Sequence, residues 1–227
     1  MTASLVEGSD VRGGFEYRCV ASSLDGFIQQ LAASYLRHGY FFYITGTIRE
    51  GRDPREIDRR IIDRYDLAIS KFTRARRKKS GTASVQYLRH ERFFVLLATH
   101  GKHRFFEEEV GIKDARETPI RYEGYSVSVR AGRSCVRIDR GSYLNIKAYF
   151  EDIATKRSAE VLAKQLRSLP FSPYAPVRSQ LFAILRAVNR ARQVAGFESV
   201  PNTAIRVRRE PVKTFEERLV SDEISRT

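Results

Sequence analysis

A strict alternation of apolar and polar side chains over residues 124–139 constrains the fold more than any other feature of the sequence. The segment is GYSVSVRAGRSCVRID, and its centre, Ala131-Gly132-Arg133-Ser134, contains the glycine typical of a hairpin turn. A period of two places successive side chains on opposite faces of a strand, so each arm has one buried and one open face. The pattern therefore predicts an antiparallel hairpin.

Other stretches extend this sheet. VQYLRH and RFFVLLAT are apolar and aromatic, and little more than His90-Glu91 separates them, which predicts a further hairpin. Residues 40–48, YFFYITGTI, are too apolar for a half-exposed strand and predict a central one. FEYRCVAS, from Phe15, alternates and predicts a strand near the start of the chain.

Helical spacing of apolar residues surrounds these strands. Residues 24–38 predict a helix that ends at His38-Gly39, and Pro54 opens the next one. Helices are also predicted within residues 142–196, where the prolines of PFSPYAP separate the last helix from those before it. This order of elements predicts an α+β fold: a mainly antiparallel sheet with packed helices, followed by a C-terminal helical extension.

Changes in composition divide the chain into predicted parts. Residues 1–14 are small and polar and predict a flexible lead-in. Residues 15–140 form the predicted basic α+β domain, and residues 141–198 a helical subdomain. Residues 199–227 are polar and carry both signs of charge, so we expect a tail that orders only on a partner.

The charge balance indicates the class of partner. Lys and Arg total 41 against 27 Asp and Glu, a formal net charge of +14, while hydrophobic residues make up 42% of the chain. That hydrophobic content supports a packed core, so the charge does not reflect disorder. A surface this basic attracts polyanions.

Cysteine content and hydropathy indicate the compartment. Cys19 and Cys135 lie far apart, and the sequence has no apolar run of the ~18 residues that a membrane span needs. We therefore expect a cytoplasmic protein with no membrane partner.

Residues 71–79 are dense in positive charge and contain no acid. We predict a flexible loop that clamps phosphates, because several cationic side chains held close together neutralise a polyanion. Basic residues on the neighbouring strands extend the same charge. The predicted phosphate contacts are Lys71, Arg74, Arg76, Arg77, Lys78, Lys79, Arg89, Arg92 and Lys102.

The last predicted helix has a polar stripe whose Arg, Asn and Gln side chains match the donor and acceptor pattern of base edges. The predicted base contacts are Arg186, Asn189, Arg190 and Gln193. Most aromatic rings are expected in the core, and Tyr87, Tyr122 and Tyr125 are the predicted exceptions. Exposed rings on an antiparallel sheet stack unpaired bases, which favours RNA over DNA.

An enzymatic alternative rests on HGKH, residues 100–103. His100 and His103 with a nearby carboxylate could bind a divalent cation, and Tyr143 or Tyr149 could then attack a phosphodiester, as in a single-strand nuclease or nicking enzyme. The two histidines are three residues apart across a glycine, so strand geometry does not place them on one face. The main prediction therefore has no metal, no cofactor and no catalysis.

The sequence thus predicts a nucleic-acid-binding protein, with RNA slightly favoured, as a candidate subunit of a larger nucleoprotein complex. A further alternative is an interaction module whose basic face docks an acidic protein, which the charged tail after Glu198 favours. A steep salt dependence of nucleic-acid binding by the isolated protein separates these two.

Overall fold

The structure, a computed structural model, describes residues 17–210 and 212–215, with only the backbone at Lys71. Within these residues the chain forms seven α-helices and seven β-strands. The helices are α1 (Leu24–Gln29), α2 (Pro54–Arg64), α3 (Lys71–Lys79), α4 (Phe105–Glu108), α5 (Arg140–Ile153), α6 (Ala159–Arg167) and α7 (Ala175–Val194). The strands are β1 (Phe42–Thr47), β2 (Val85–His90), β3 (Phe93–Ala98), β4 (Lys113–Asp114), β5 (Ile120–Tyr122), β6 (Tyr125–Arg130) and β7 (Arg133–Ile138).

The strands form two antiparallel sheets, which confirms the α+β class. One sheet has the order β2-β3-β1-β4 and the other has the order β5-β6-β7. β1 lies between β3 and β4, so the aromatic strand is central, as its apolar sequence predicts. Gly46 of β1 is needed because a Cβ atom there would come within 2.4 Å of the Phe94 ring.

Both predicted hairpins are confirmed. β6 and β7 are joined at Ala131 and Gly132, whose φ angles are 48° and 72°. Two successive positive φ angles define the turn whose twist matches that of the paired strands. β2 pairs with β3 in the other predicted hairpin. A hairpin between β5 and β6 turns at Glu123 and Gly124, and the sequence analysis misses it because β5 is only three residues long.

The predicted helices are present with shifted ends. α1 begins after Ser23, whose hydroxyl accepts a hydrogen bond from the Gly26 amide. The helix continues through a π-helical turn and a 3-10 turn, and Gly39, with φ of 90°, ends it as predicted. The strand predicted from Phe15 is wrong where the structure describes it, since only Val20 pairs, in an isolated bridge with Arg89. Phe15 and the predicted lead-in lie outside the described residues.

The loop predicted at residues 71–79 is wrong, because this segment is helix α3. The Ser70 hydroxyl begins the helix by accepting a hydrogen bond from the Thr73 amide at 3.1 Å. Lys and Arg have high helix propensity, and this run contains neither Gly nor Pro. A dense positive charge therefore does not by itself predict a flexible loop.

Two hydrophobic clusters fill the interior. The larger combines α1, the three-stranded sheet and the C-terminal helices, through residues such as Phe27, Val127 and Leu181. The smaller lies against the four-stranded sheet and includes Tyr87 and Phe105. Fully burying one large apolar side chain contributes about 1.5–3 kcal/mol, so sheet and helices stabilise each other through the larger cluster. The boundary predicted near residue 140 passes through this shared core.

The C-terminal segment, residues 199–210 and 212–215, also belongs to the fold. Val200, Ala204 and Ile205 are buried in the larger cluster. The prediction of a tail that orders only on a partner is therefore wrong for this segment, because its apolar residues already find a partner in the core. Residues 216–227 lie outside the described part.

Candidate nucleic-acid interface

Helix α3 presents part of the predicted phosphate clamp to solvent. Arg76, Lys78 and Lys79 are exposed, and so is Lys102, which lies near the helix end because Thr82 pairs with it in an isolated bridge. We call these four basic residues the basic helix surface. They keep the predicted charge, now fixed on a helix.

An aromatic ring accompanies this charge. Phe72 of α3 is 89% exposed. Arg76 and Lys79 follow it four and seven positions later, so the three side chains share one face of the helix. An exposed ring beside cationic groups is the combination on which single-stranded nucleic acids stack their bases. The sequence alone does not single out Phe72, because its spacing from the basic residues matters only if the segment is helical.

The remaining predicted contacts of α3 are engaged or undescribed. Arg77 forms an ion pair with Asp66. Arg74 points inward, and its Nη2 atom donates to the Ile69 carbonyl at 3.2 Å. The side chain of Lys71 lies outside the described residues.

Arg89 is excluded from the interface by burial. It is 7% exposed, and its Nε and Nη2 atoms donate to Asp58 Oδ1 and Oδ2 at 2.8 and 2.7 Å. The Tyr87 hydroxyl donates to the same Oδ1 at 2.7 Å. Burial, reinforced by Asp58, raises the pKa of Tyr87 well above its ordinary value, so the hydroxyl stays a donor. Predicting Arg89 as a phosphate contact is wrong because the acid that neutralises it comes from helix α2.

Arg92 also serves the fold. Its Nε atom donates to the Ile48 carbonyl at 2.9 Å and its Nη2 atom to the Arg52 carbonyl at 3.1 Å. These bonds fix the loop between β1 and α2. The positive charge of Arg92 remains, but its Nε and Nη2 donors are occupied by backbone carbonyls.

The predicted base-contacting stripe of α7 is only partly available. Arg186, Arg190 and Gln193 are exposed. Asn189 is not available, because its amide donates to the Val200 carbonyl at 2.9 Å and accepts from the Val200 amide at 2.8 Å. The donor and acceptor that would match a base edge instead bind the C-terminal segment.

A second basic surface lies on the open face of the three-stranded sheet. Arg121 lies opposite Ser126, Ser126 lies opposite Arg137, and Arg130 follows on the same face of β6. The first turns of α5 and α7 form the other wall, to which Arg140 belongs, and the groove between them has a volume of about 820 Å³. We call this surface, with Arg121, Arg130, Arg137 and Arg140, the arginine groove.

The arginine groove is strongly positive. Its described lining contains no carboxylate, and within the described part of the chain none of its arginines forms an ion pair. Asp139 interacts electrostatically with Arg121 but forms no ion pair with it. Its Oδ1 atom instead accepts hydrogen bonds from the Gly141 and Ser142 amides at the start of α5. Burial opposes ionisation of Asp139, while these hydrogen bonds and Arg121 outweigh it and lower the pKa.

Gln180 holds the two walls of the groove together. This side chain is 8% exposed, accepts from the Ile138 amide at 2.9 Å and donates to the Ile138 carbonyl at 3.0 Å. α7 is thereby fixed against the edge of β7. A ligand would meet arginines that project from rigid elements, so less ordering is needed on binding.

A sequence signal for the arginine groove was present. The polar positions of the hairpin at 124–139 include Arg130, Arg133 and Arg137, spaced so that they share one face. The alternation that predicts the hairpin thus also predicts a cationic face. The density of charge along the chain is highest at residues 71–79. Basic residues at every second position of a strand are less dense but lie on one face.

The residues of the enzymatic alternative do not form a common site. His103 accepts a hydrogen bond from the Phe105 amide at 3.0 Å, and His100 is exposed nearby. Tyr143 lines the arginine groove, and Tyr149 accepts a hydrogen bond from α6. Within residues 17–210 and 212–215, no group of three or more His, Cys, Asp or Glu side chains could hold a metal ion. The structure gives this alternative no support.

The aromatic residues predicted to be exposed are largely internal. Tyr87 and Tyr125 are fully buried. Tyr122 is half-buried, and its ring stacks on Phe93 with centroids 4.2 Å apart. The prediction of exposure is wrong for Tyr87 and Tyr125, and the sheet no longer supplies a reason to favour RNA.

No protein-family model and no curated protein sequence matches this chain. Among the helices of the described part, none has both the length and the apolar character needed to cross a membrane. The partner is therefore inferred from the chemistry of the two basic surfaces.

Proposed function

We propose that the protein binds nucleic acid and that the arginine groove holds its sugar-phosphate backbone. The observation that carries the proposal is the set of arginines on one rigid surface whose described lining has no carboxylate. A guanidinium group presents two parallel donors that match two phosphate oxygens, and its charge assists both hydrogen bonds.

The spacing of the arginines supports a polymer rather than a small anion. Arg121 and Arg137 lie on strands separated by β6, and strands are about 4.8 Å apart, so their backbones are roughly 10 Å apart. A chain of phosphates reaches both positions, whereas one phosphate group reaches them only if both long side chains converge.

The basic helix surface is the second proposed contact. Phosphates would bind Arg76, Lys78, Lys79 and Lys102, and a base would stack on Phe72 at about 1–3 kcal/mol per base. We do not choose RNA over DNA, because two of the rings that favoured RNA, Tyr87 and Tyr125, are buried and the third, Tyr122, is half-buried. Competition between RNA and DNA strands of one sequence decides the polymer.

Charge reversal in the groove tests the proposal. We expect Arg121→Glu/Arg137→Glu to weaken binding of a labelled single strand more than about tenfold by fluorescence anisotropy. The magnitude of the slope of log affinity against log salt concentration should also fall by about one to two, because binding through fewer phosphate contacts releases fewer counterions.

A matched control separates the groove from overall charge. Arg59→Glu/Arg60→Glu makes the same change in net charge at exposed positions of α2. We expect it to weaken binding only slightly. An equal loss in both double variants would show that net charge attracts the strand and that the groove does not hold it.

Phe72, next to the basic helix surface, has its own test. Phe72→Ala removes the exposed ring, and we expect a loss of affinity of about fivefold or more for single strands but little loss for duplexes, whose bases are already stacked. Phe197→Ala, at a position that is 50% exposed near the end of α7, is the control. Equal affinities of wild type and Phe72→Ala for single strands would remove Phe72 from the interface.

The two cysteines offer a footprint without mutating the groove. Cys135 lies opposite Ser128 on the face that carries Arg137 and is half-buried. Cys19 is 6% exposed, and burial raises the pKa of its thiol to about 12, so it should stay unmodified in the folded protein. We expect a bound strand to slow alkylation of Cys135, and an unchanged rate at saturating nucleic acid would contradict the groove as the contact.

A further inference from the structure

A separate cationic pocket lies between the segment before α1, the π-helical turn that follows α1, and helix α3. Its volume is about 720 Å³, within the range of roughly 300–1,000 Å³ typical of small-molecule sites. The described lining contains no carboxylate, and it includes Tyr17, Arg18, Tyr35, Tyr40 and Arg74. We call it the tyrosine pocket.

Arg74 has a donor that the protein does not satisfy. Its Nη2 atom donates to the carbonyl oxygens of Leu67 and Ile69, at 3.5 and 3.2 Å. The Nε atom is buried and has no hydrogen-bond partner among the described residues. Buried donors in folded proteins are nearly always paired, so this N–H group indicates an acceptor that is not part of the fold.

The tyrosines supply further donors. Burial raises the pKa of Tyr35 to about 12, so its hydroxyl remains protonated at neutral pH. The Gln30 side chain hydrogen-bonds to that hydroxyl and favours its ionised form, as a donor does, against the larger effect of burial, so the hydroxyl proton is left for an acceptor. Tyr40 instead pairs with the Ser84 hydroxyl at 2.9 Å. Tyr17 is fixed by the Tyr87 amide, which donates to its oxygen at 2.7 Å. The Tyr35 hydroxyl is therefore held in place by Gln30 and can still donate its proton to a ligand.

Charge favours an anion in this pocket. Arg74 acts on both Tyr17 and Tyr35, since its charge lowers the pKa of each against the larger effect of burial. Arg18 is exposed at the pocket and adds a second cation. Two guanidinium groups match the charge of a phosphomonoester, about −1.5 to −2 at pH 7, better than the single charge of a phosphodiester.

The geometry points to a phosphomonoester as the ligand of the tyrosine pocket. Its terminal oxygens would accept from the Tyr35 hydroxyl and from Arg74 Nε, which a small movement of the Arg74 side chain opens to the pocket on binding, and Arg18 would neutralise the remaining charge. The pocket is larger than a phosphate group, so it leaves room for a nucleoside next to Phe215 at its edge. The group can come from a free nucleotide or from the phosphorylated end of a nucleic-acid strand, and the second source rests on the proposed function.

Calorimetry on the full chain tests the pocket with adenosine 5′-monophosphate and adenosine. We expect the monophosphate to bind at least about tenfold more tightly, because the phosphate forms charge-assisted hydrogen bonds. Equal affinities for the two compounds would overturn the assignment. Single strands with a 5′-phosphate or a 5′-hydroxyl form the second arm: tighter binding of the phosphorylated strand identifies a strand end, and a preference confined to the mononucleotide identifies a free nucleotide.

Two variants locate the effect. Tyr35→Phe keeps the ring and removes the hydroxyl, and Arg74→Lys keeps the charge and removes the Nε donor. We expect each folded variant to lose about fivefold to tenfold in affinity for adenosine 5′-monophosphate, while Tyr149→Phe and Arg60→Lys, outside the pocket, lose none. Unchanged affinity in Tyr35→Phe and Arg74→Lys, with circular dichroism like the wild type, would contradict the site.

The assignments of the tyrosine pocket and of the arginine groove can be tested separately. Arg121→Glu/Arg137→Glu should weaken binding of a 5′-hydroxyl strand and leave the affinity for adenosine 5′-monophosphate unchanged. Tyr35→Phe should show the reverse pattern. Loss of the mononucleotide in the groove variant would place its binding site in the groove and overturn the assignment of the tyrosine pocket.

Discussion

Arg89 in the four-stranded sheet and Arg137 in the three-stranded sheet are both strand arginines, yet their surroundings are opposite. Helix α2 lies against the first sheet and brings Asp58 to Arg89, which is buried and binds this carboxylate through two of its nitrogen atoms. Arg137 is exposed beside other arginines, and no described carboxylate pairs with it.

This contrast teaches that the role of a basic residue is set by the acids that tertiary structure brings to it. Asp58 lies 31 residues from Arg89 in the sequence, and β-strand spacing does not reveal the pairing. An arginine without such a partner keeps its hydrogen-bonding capacity for a ligand.

Removing the carboxylate of the buried pair should have the largest effect. Asp58→Ala leaves the Arg89 guanidinium buried without its partner and the Tyr87 hydroxyl without its acceptor. We expect the free energy of unfolding to fall by about 3–5 kcal/mol in urea titrations. Asp63→Ala, at an exposed position of the same helix, is the control and should change stability by less than about 0.5 kcal/mol.

Replacing the whole pair sharpens this test. In Asp58→Leu/Arg89→Met no buried charge is left unpaired, so we expect most of the lost stability to return. A double variant as unstable as Asp58→Ala would show that the pair and its hydrogen bond from Tyr87 stabilise the fold beyond the penalty of an unpaired charge.

Gln180 connects the core to the groove, so its loss should be intermediate. Gln180→Ala leaves the Ile138 amide and carbonyl without their side-chain partners, and we expect a loss of about 1–3 kcal/mol in the free energy of unfolding. Gln193→Ala, exposed on the same helix, should be neutral. Equal stabilities of these two variants would mean that α7 is held to β7 by apolar packing alone.

The start of α3 should matter less and only locally. Ser70→Ala removes the hydroxyl that accepts from the Thr73 amide, and we expect a loss of about 1 kcal/mol. Amide exchange in Ser70→Ala should be faster than in the wild type in α3 and unchanged in the strands, which would locate the effect. Ser199→Ala serves as the exposed control. Exchange in wild-type α3 as fast as in an unstructured peptide would mean that the charged run is a loop after all.

Neutralising a groove arginine should change stability least. Arg137→Gln removes one of several neighbouring positive charges and no ion pair in the described part, so we expect a change within about 0.5 kcal/mol. Affinity for a single strand should nevertheless fall severalfold. A large loss of stability would break the contrast, because Arg137 would then serve the fold as Arg89 does.

Much of the fold could be predicted from local pattern, because alternation and turn chemistry act over a few residues. The hairpin at 124–139 has the predicted turn at Ala131 and Gly132, and Pro54 opens α2 as predicted. The site could be predicted less well. Arg89 and Asn189 have the hydrogen-bonding groups for which the sequence predicts them as contacts, but their partners, Asp58 and Val200, are supplied by other elements. Nothing local distinguishes an engaged donor from a free one.

The C-terminal segment has a consequence for how the protein is made. It returns to the start of the fold, where the Ser22 amide donates to the Thr214 carbonyl at 3.0 Å and the Ser22 hydroxyl contacts the Lys213 carbonyl, 191 residues away in the sequence. At a synthesis rate of about 5–20 residues per second, roughly 10–40 s separate the emergence of these partners from the ribosome. The hydrogen bonds between this segment and the start of α1 therefore form late, whereas Phe27 of α1 packs on His90, Phe93 and Tyr122, which emerge much earlier.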